Sequence, residues 1–166
     1  PIAGFRVALE GGNLRAGEKL FYNHPVIACV RCHRTGDSGG SEVGPNLAGI
    51  GGRESRDYIL QSILKPSAKI AEGFAIATIT RKNGEALVGT IVSQDDTLVR
   101  LKASEEQPLE IQRAEIQSVE LAPSAMPEVA VHVLTKAQIR DLVEFVASLK
   151  TPARPRTQRP MRALLA

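Results

Sequence analysis

Two cysteines separated by two residues, with a histidine directly after the second, constrain this chain more than any other feature. Cys29, Cys32 and His33 form the run Cys-Val-Arg-Cys-His, which is the attachment motif of c-type haem. Each thiol can add to one vinyl group of the porphyrin, and the histidine can then present a ring nitrogen to the iron. The motif therefore predicts one haem c, bound covalently through Cys29 and Cys32, with His33 as the proximal ligand.

Three other uses of a closely spaced cysteine pair fit this sequence less well. A thioredoxin-like redox pair is expected beside a βαβ pattern, and none is visible around the motif. A structural zinc site needs four ligands, but the chain has no second cysteine pair, and its only other histidines are His24 and His132. A disulfide between the two cysteines would close a very short loop and would stabilise the fold little.

Three segments of the chain have the patterns of short helices. The first covers residues 14–22 with Asn13 as its N-cap, and the second covers residues 55–65, from Ser55 to the break at Pro66. The third covers residues 135–150, where Thr135 and Gln138 match a capping box. Its apolar stripe consists of Ile139, Leu142, Val143, Val146 and Leu149.

The hydrophobic period changes between residues 71 and 121. Short runs with alternating or β-branched character stand at residues 74–80, 87–93, 97–101, 109–112 and 116–121. They are separated by turn signals, among them Lys82-Asn83-Gly84-Glu85. The pattern predicts a small antiparallel β insertion, either barrel-like or sheet-like. Its acidic residues are scattered, so we interpret it as a spacer or docking module rather than a catalytic one.

Charge is distributed unevenly along the chain. Residues 71–121 carry nine acidic and five basic side chains, a net charge of −4, whereas residues 151–166 carry four arginines and no acid. The isoelectric point near 9.1 therefore mostly reflects this Pro- and Arg-rich tail. No basic stripe with interleaved aromatics is present, so we expect no nucleic-acid binding. No apolar run approaches the roughly 18 residues that a membrane span requires.

Met126 is the preferred candidate for a second iron ligand. It lies in Pro123-Ser124-Ala125-Met126-Pro127, a loop that two prolines stiffen just before the last helix. A thioether is a neutral ligand that favours Fe(II) and raises the reduction potential, whereas the alternative, His132, would lower that potential. Met161, in the tail, is the weaker methionine candidate.

These motifs, in this order, resemble those of class I cytochromes c. The matching features are Gly17 and Phe21, the Cys-Val-Arg-Cys-His run, the segment at residues 44–53 beginning Gly-Pro-Asn-Leu, Met126-Pro127 and the closing helix. The resemblance covers residues 13–70 and 122–150. More narrowly, Ser124-Ala125-Met126-Pro127-Glu128 and the long insertion ahead of it are similar to the haem-binding domain family of Planctomycete/Verrucomicrobium type. Such domains often end larger proteins, behind dehydrogenase-like modules.

The resemblance implies a mainly α cytochrome c fold of class I, interrupted between its third helix and its methionine loop. We expect residues 1–70 to form the first part of the cytochrome module and residues 71–121 to form the β insertion. Residues 122–150 would supply the methionine loop and the C-terminal helix, and residues 151–166 would form an extended tail.

The resemblance also implies roles for individual residues. His33 and Met126 would be the axial ligands, the carbonyl of Pro45 would accept the other ring proton of His33, and Arg53 would lie near a haem propionate. The helix that carries Gly17 and Phe21 is expected to cross the last helix near Leu142 and Phe145.

The expected function is that of a single-haem electron carrier, or of the electron-transfer domain of a larger oxidoreductase, and not of an enzyme by itself. Its partner would be a redox protein, either a donor dehydrogenase or an acceptor oxidase or cytochrome. Covalent haem attachment generally takes place outside the cytoplasm, so a periplasmic or other extracytoplasmic location is expected. The alternative is a haem-based sensor or a peroxidase-like enzyme with a displaceable sixth ligand.

Overall fold

Helices and strands occupy separate parts of the chain in the computed structural model, which describes residues 2–37, 40–104 and 107–152. Residues Lys65–Glu128 form one unit, and the described residues before Lys65 and after Glu128 form the other. Each unit has a hydrophobic core of its own. Met161 and all of the predicted tail after residue 152 lie outside the described residues.

The first unit is helical. Its helices are α1 (Leu14–Asn23), α2 (Ile50–Arg53), α3 (Arg56–Leu64), α4 (Ala130–Val133) and α5 (Lys136–Ser148), with short 3₁₀ segments at Ile2–Ala8 and Cys29–Arg31. The three helices expected from the sequence are confirmed within two residues at each end. The N-terminal 3₁₀ segment and the four-residue helices α2 and α4 were not predicted.

Side chains that precede the helices cap them as their identities predict. Asn13 Oδ1 accepts a hydrogen bond of 3.0 Å from the Ala16 N–H at the start of α1. At the start of α5, Thr135 Oγ1 accepts from the Gln138 N–H, and Gln138 Oε1 accepts in return from the Thr135 N–H. The capping box is therefore present in both directions, and it satisfies amide groups that have no partner within the helix.

Helices α1 and α5 cross closely, as expected. A Cβ atom built on Gly17 would overlap the carbonyl oxygen of Asp141, so only glycine allows the two backbones to approach this closely. Phe21 is buried, and its ring centroid lies 5.3 Å from that of Phe145. Leu14, by contrast, is 44% exposed and does not share the buried face.

The second unit contains a five-stranded antiparallel sheet. Its strands are β1 (Ala75–Arg81), β2 (Ala86–Gln94), β3 (Leu98–Lys102), β4 (Leu109–Gln112) and β5 (Ile116–Leu121), in the spatial order β4-β3-β2-β1-β5. Gly84 adopts a φ of +88° in the turn between β1 and β2, as its sequence signal predicted. All five predicted strands are confirmed, with small shifts at their ends.

This sheet has a hydrophobic core of its own. The buried cluster consists of Ala77, Ile79, Ile91, Val99, Leu101 and Ile111, against which Leu87 and Ile116 pack. These side chains come from all five strands, including the two edge strands β4 and β5. The register also shifts between Thr80 and Arg81 and between Ile91 and Ser93, and such irregularities bend a sheet locally.

Within the described ranges, no helix combines the length and the apolar character that crossing a bilayer demands.

Candidate functional site

The two cysteines of the motif lie in a single 3₁₀ turn that follows α1. The carbonyl of Cys29 accepts hydrogen bonds from the N–H groups of Cys32 and His33, at 3.1 and 2.9 Å. Both thiols are free and half-buried. One tight turn thus presents two thiols and an imidazole together, as attachment to a single planar group requires.

The imidazole of His33 has its protonation state set by a backbone carbonyl. His33 Nδ1 lies 2.8 Å from the carbonyl oxygen of Pro45. A carbonyl can only accept, so Nδ1 carries the proton and Nε2 keeps its lone pair for a metal. Burial lowers the pKa of His33, against the opposing effect of the Pro45 hydrogen bond. The ring is therefore neutral at neutral pH, which is the form that binds a metal.

Gly44 lets the backbone pass directly against this ring. A Cβ atom at Gly44 would lie 2.7 Å from His33 Cε1 and 2.9 Å from Nδ1, and the Gly44 N–H donates a hydrogen bond of 2.8 Å to the Cys32 carbonyl. The flat group that the backbone passes at Gly44 is therefore the imidazole of the motif itself.

Polar contacts that were not predicted hold the loop carrying Pro45. Asn46 Nδ2 donates to the Gly36 carbonyl at 2.9 Å, and Asn46 Oδ1 accepts from the Ala48 N–H at 3.0 Å. Arg34 and Glu42 form an ion pair with an N–O distance of 2.7 Å. An asparagine directly after Gly-Pro is a turn signal, but it does not reveal a partner ten residues earlier.

The environment of Cys29 disfavours thiol redox chemistry. Burial raises the pKa of the Cys29 thiol to about 11, with a smaller contribution from Cys32 in the same direction and an opposing backbone hydrogen bond. Reactive redox cysteines instead have lowered pKa values. Among the described residues, no group of three or more His, Cys, Asp or Glu side chains could hold a metal ion by itself. The donor set therefore fits a c-type haem better than a redox pair or a zinc site.

The other candidate residues lie in varied surroundings. Arg53 is exposed, and its Nη1 donates to the Ala48 carbonyl at 2.9 Å. Met126 belongs to the second unit and is half-buried, and its N–H donates to Ser124 Oγ at 3.2 Å. His132 is exposed at α4. The roles of Arg53 at a propionate and of Met126 at the iron stay predictions.

A family model for cytochrome c matches residues 14–150 of the chain. This chain belongs to the cytochrome c family. Membership implies covalently bound haem c and electron transfer, in agreement with the function expected from the Cys-Val-Arg-Cys-His motif. The narrower resemblance of this cytochrome to the Planctomycete/Verrucomicrobium type stays a prediction.

A shorter stretch of this cytochrome is similar to a plant protein. Over 44 residues it is 43% identical to a cytochrome c of Cannabis sativa, and this stretch covers 26% of the chain and 36% of the relative. The chain thus spans about a third of the length of the curated relative it matches.

Proposed function

We propose that this cytochrome transfers single electrons, that Cys29 and Cys32 would bind one haem c covalently, and that His33 and Met126 would supply the two protein ligands to its iron. A bound haem c supplies a one-electron couple between Fe(III) and Fe(II). The observation that carries the proposal is the hydrogen bond between His33 Nδ1 and the Pro45 carbonyl, 2.8 Å long. It leaves Nε2 unprotonated in the same turn as two free thiols.

The chain's contribution on the His33 side is to orient a neutral ligand and to tune its basicity. The Pro45 carbonyl fixes the tautomer, and a hydrogen bond of this kind makes the opposite ring nitrogen a stronger donor. Gly44 lies against the ring and restricts its rotation.

On the Met126 side, the chain's contribution is a stiff loop and a neutral sulfur. Pro123 and Pro127 restrict the backbone on either side, and Ser124 Oγ accepts the Met126 N–H. Thioether ligation favours Fe(II), so we expect a higher potential than a second histidine would give. Arg53 would neutralise charge at a propionate.

We place this activity in an extracytoplasmic compartment such as the periplasm. The partner would be a donor dehydrogenase or an acceptor oxidase or cytochrome, and the chain would act as an electron carrier or as the electron-transfer domain of a larger oxidoreductase. Support comes from the sequence resemblance to domains that follow dehydrogenase-like modules.

The test is spectroscopic. The purified holoprotein should gain the mass of one haem, and its oxidised form should show the long-wavelength charge-transfer band of iron bound to methionine. Met126→Ala should abolish this band, whereas His132→Ala should leave it unchanged. Survival of the band in Met126→Ala would contradict the proposed ligand. Binding of carbon monoxide or cyanide to the wild-type protein at low concentration would instead indicate a sensor or peroxidase-like site.

A further inference from the structure

The two segments that connect the sheet to the rest of the chain run side by side. Beyond the pairing of β1 with β5, the Ala122 N–H donates to the Ile76 carbonyl at 2.8 Å. Further along, the Ser124 N–H donates to Ser67 Oγ at 3.1 Å. Finally, Lys65 Nζ lies 2.9 Å from Glu128 Oε2. The last two contacts thus join the segment leading into the sheet to the segment leading out of it, in continuation of the pairing of β1 with β5.

Met126 lies midway between the last two of these contacts. Ser124 stands two residues before it and Glu128 two residues after it, and each is joined to the opposite segment. Between them, the Met126 N–H is bound by Ser124 Oγ. A short segment held at both ends and bordered by prolines has few conformations available, so little backbone entropy remains to be lost when its side chain is fixed.

We propose that Lys65, Ser67, Ser124 and Glu128 act as positioning residues, together called the stalk clamp, that hold the Met126 sulfur ready for the iron. The inference rests on the proposed ligation by His33 and Met126. It gives the β insertion a specific role, because the pairing of β1 with β5 brings the two halves of the stalk clamp together. Weakening the stalk clamp should let an external ligand displace the methionine more readily.

The effect of each contact should be modest. Lys65 and Glu128 are 50% and 42% exposed, and exposed ion pairs of this kind change an equilibrium constant by up to about fivefold. Salt screens such pairs, whereas it affects the uncharged contact between Ser67 and Ser124 much less. Measurements at low and high ionic strength therefore distinguish the contribution of the ion pair from that of the contact between Ser67 and Ser124.

The experiment is a titration of the oxidised holoprotein with imidazole, followed by loss of the methionine charge-transfer band. Glu128→Gln, which breaks an exposed ion pair, should lower the apparent Kd for imidazole by about two- to fivefold. Ser67→Ala, which removes one hydrogen bond, should lower it by about the same factor. At about 1 M salt the effect of Glu128→Gln should vanish and that of Ser67→Ala should persist. The exchanged pair Lys65→Glu with Glu128→Lys should restore much of the wild-type value.

Glu110→Gln is the matched control. It removes one negative charge and breaks an ion pair with Arg100 on the sheet, which is 2.9 Å long and similarly exposed. Because this pair is not part of the stalk clamp, the variant should bind imidazole with wild-type affinity. An equal effect of Glu110→Gln and Glu128→Gln would overturn the stalk clamp in favour of a general charge effect.

A second readout does not depend on the iron. In Ser67→Ala, the Ser124 amide should exchange with solvent faster, whereas the Ala122 amide, bound to the Ile76 carbonyl, should be unaffected. Unchanged exchange at Ser124 would overturn the contact itself. Wild-type imidazole affinity in both clamp variants, with the band absent in Met126→Ala, would overturn the stalk clamp but leave the proposed ligation standing. A band that survives in Met126→Ala would overturn both.

Discussion

At the scale of single residues, glycines, which have no Cβ atom, let backbone segments of the helical unit pack directly against their neighbours. Gly17 meets the α5 backbone at Asp141, and Gly51 meets the same helix at Ala147. Gly44 meets the ring of His33. In each case the neighbour is a backbone carbonyl or a ring that another contact already fixes, so it cannot move aside cheaply.

Gly17→Ala should therefore destabilise the protein. Alanine favours a helix over glycine by about 1 kcal/mol, but here the added methyl group overlaps the Asp141 carbonyl and must push α1 away from α5. We expect a net loss of about 1–3 kcal/mol in the free energy of unfolding, measured by denaturant titration. Gly4→Ala is the control, because a Cβ there meets nothing within 4 Å. A loss at Gly17 no larger than at Gly4 would contradict the close crossing.

At the scale of elements, α5 contributes more buried side chains than any other helix of the described chain. Its buried residues are Ile139, Leu142, Val143, Phe145, Val146 and Ala147. They pack against the buried faces of α1 and α3, which supply Phe21, Ile59 and Leu60 among others. The start of α5 therefore influences a large share of the apolar surface that the unit buries.

Thr135→Ala should fray the first turn of α5. The threonine accepts the Gln138 N–H and orients the reciprocal bond, and loss of such a cap costs about 1 kcal/mol. The change should appear as a lower denaturation midpoint in far-UV circular dichroism. Thr135→Ser keeps the hydroxyl and should lie near the wild type. Equal midpoints for the alanine and serine variants would show that the cap adds no stability.

The elements that the sequence predicted are those with local signals. Helix starts could be predicted from the capping residues Asn13, Ser55 and Thr135, and the hairpin from Gly84. Each of these residues acts on positions only a few residues away, so its effect is visible in the local sequence. Helices α2 and α4 are only four residues long, too short for a hydrophobic period to show. The contacts of Asn46 with Gly36 and of Ser67 with Ser124 join distant positions, so no local pattern predicts them. The hydrogen bond from His33 to Pro45 was anticipated through resemblance alone.

At the scale of the whole molecule, one arginine joins three parts of the helical unit. Arg56 Nη1 donates to the Leu9 carbonyl at 2.9 Å and to Glu144 Oε2 at 2.8 Å. It thus ties the N-terminal segment to α3, where it stands, and to α5. The hydrogen bond from Arg56 is the main cause that lowers the pKa of Glu144, with the charge of Arg56 acting in the same direction.

This pair predicts a pH dependence of stability. A carboxyl whose pKa is lowered by folding stabilises the native state above its unfolded pKa of about 4.3. That contribution disappears as the pH falls through the lower folded value. Glu144→Gln should lose up to about 1 kcal/mol at pH 7, since the pair is partly exposed, and should converge with the wild type in acid. Unfolding titrations from neutral to acidic pH would measure this difference.

Glu10→Gln is the comparison for that measurement. Glu10 lies 3.9 Å from Arg56 Nε and is mostly exposed, so its removal should leave the acid limb of the stability curve close to that of the wild type. An identical curve for Glu144→Gln and Glu10→Gln would contradict the role of the Arg56–Glu144 pair.

The neighbouring positions of β1 and β5 also bear on how such a chain can evolve. Because the first and last strands of the sheet are hydrogen-bonded partners, the inserted residues begin and finish at almost the same point. A module with this property can be gained, lost or exchanged within a loop without stretching the host polypeptide. Changes in length should then be accommodated in the turns between strands, at residues 82–85 for example, without moving either junction.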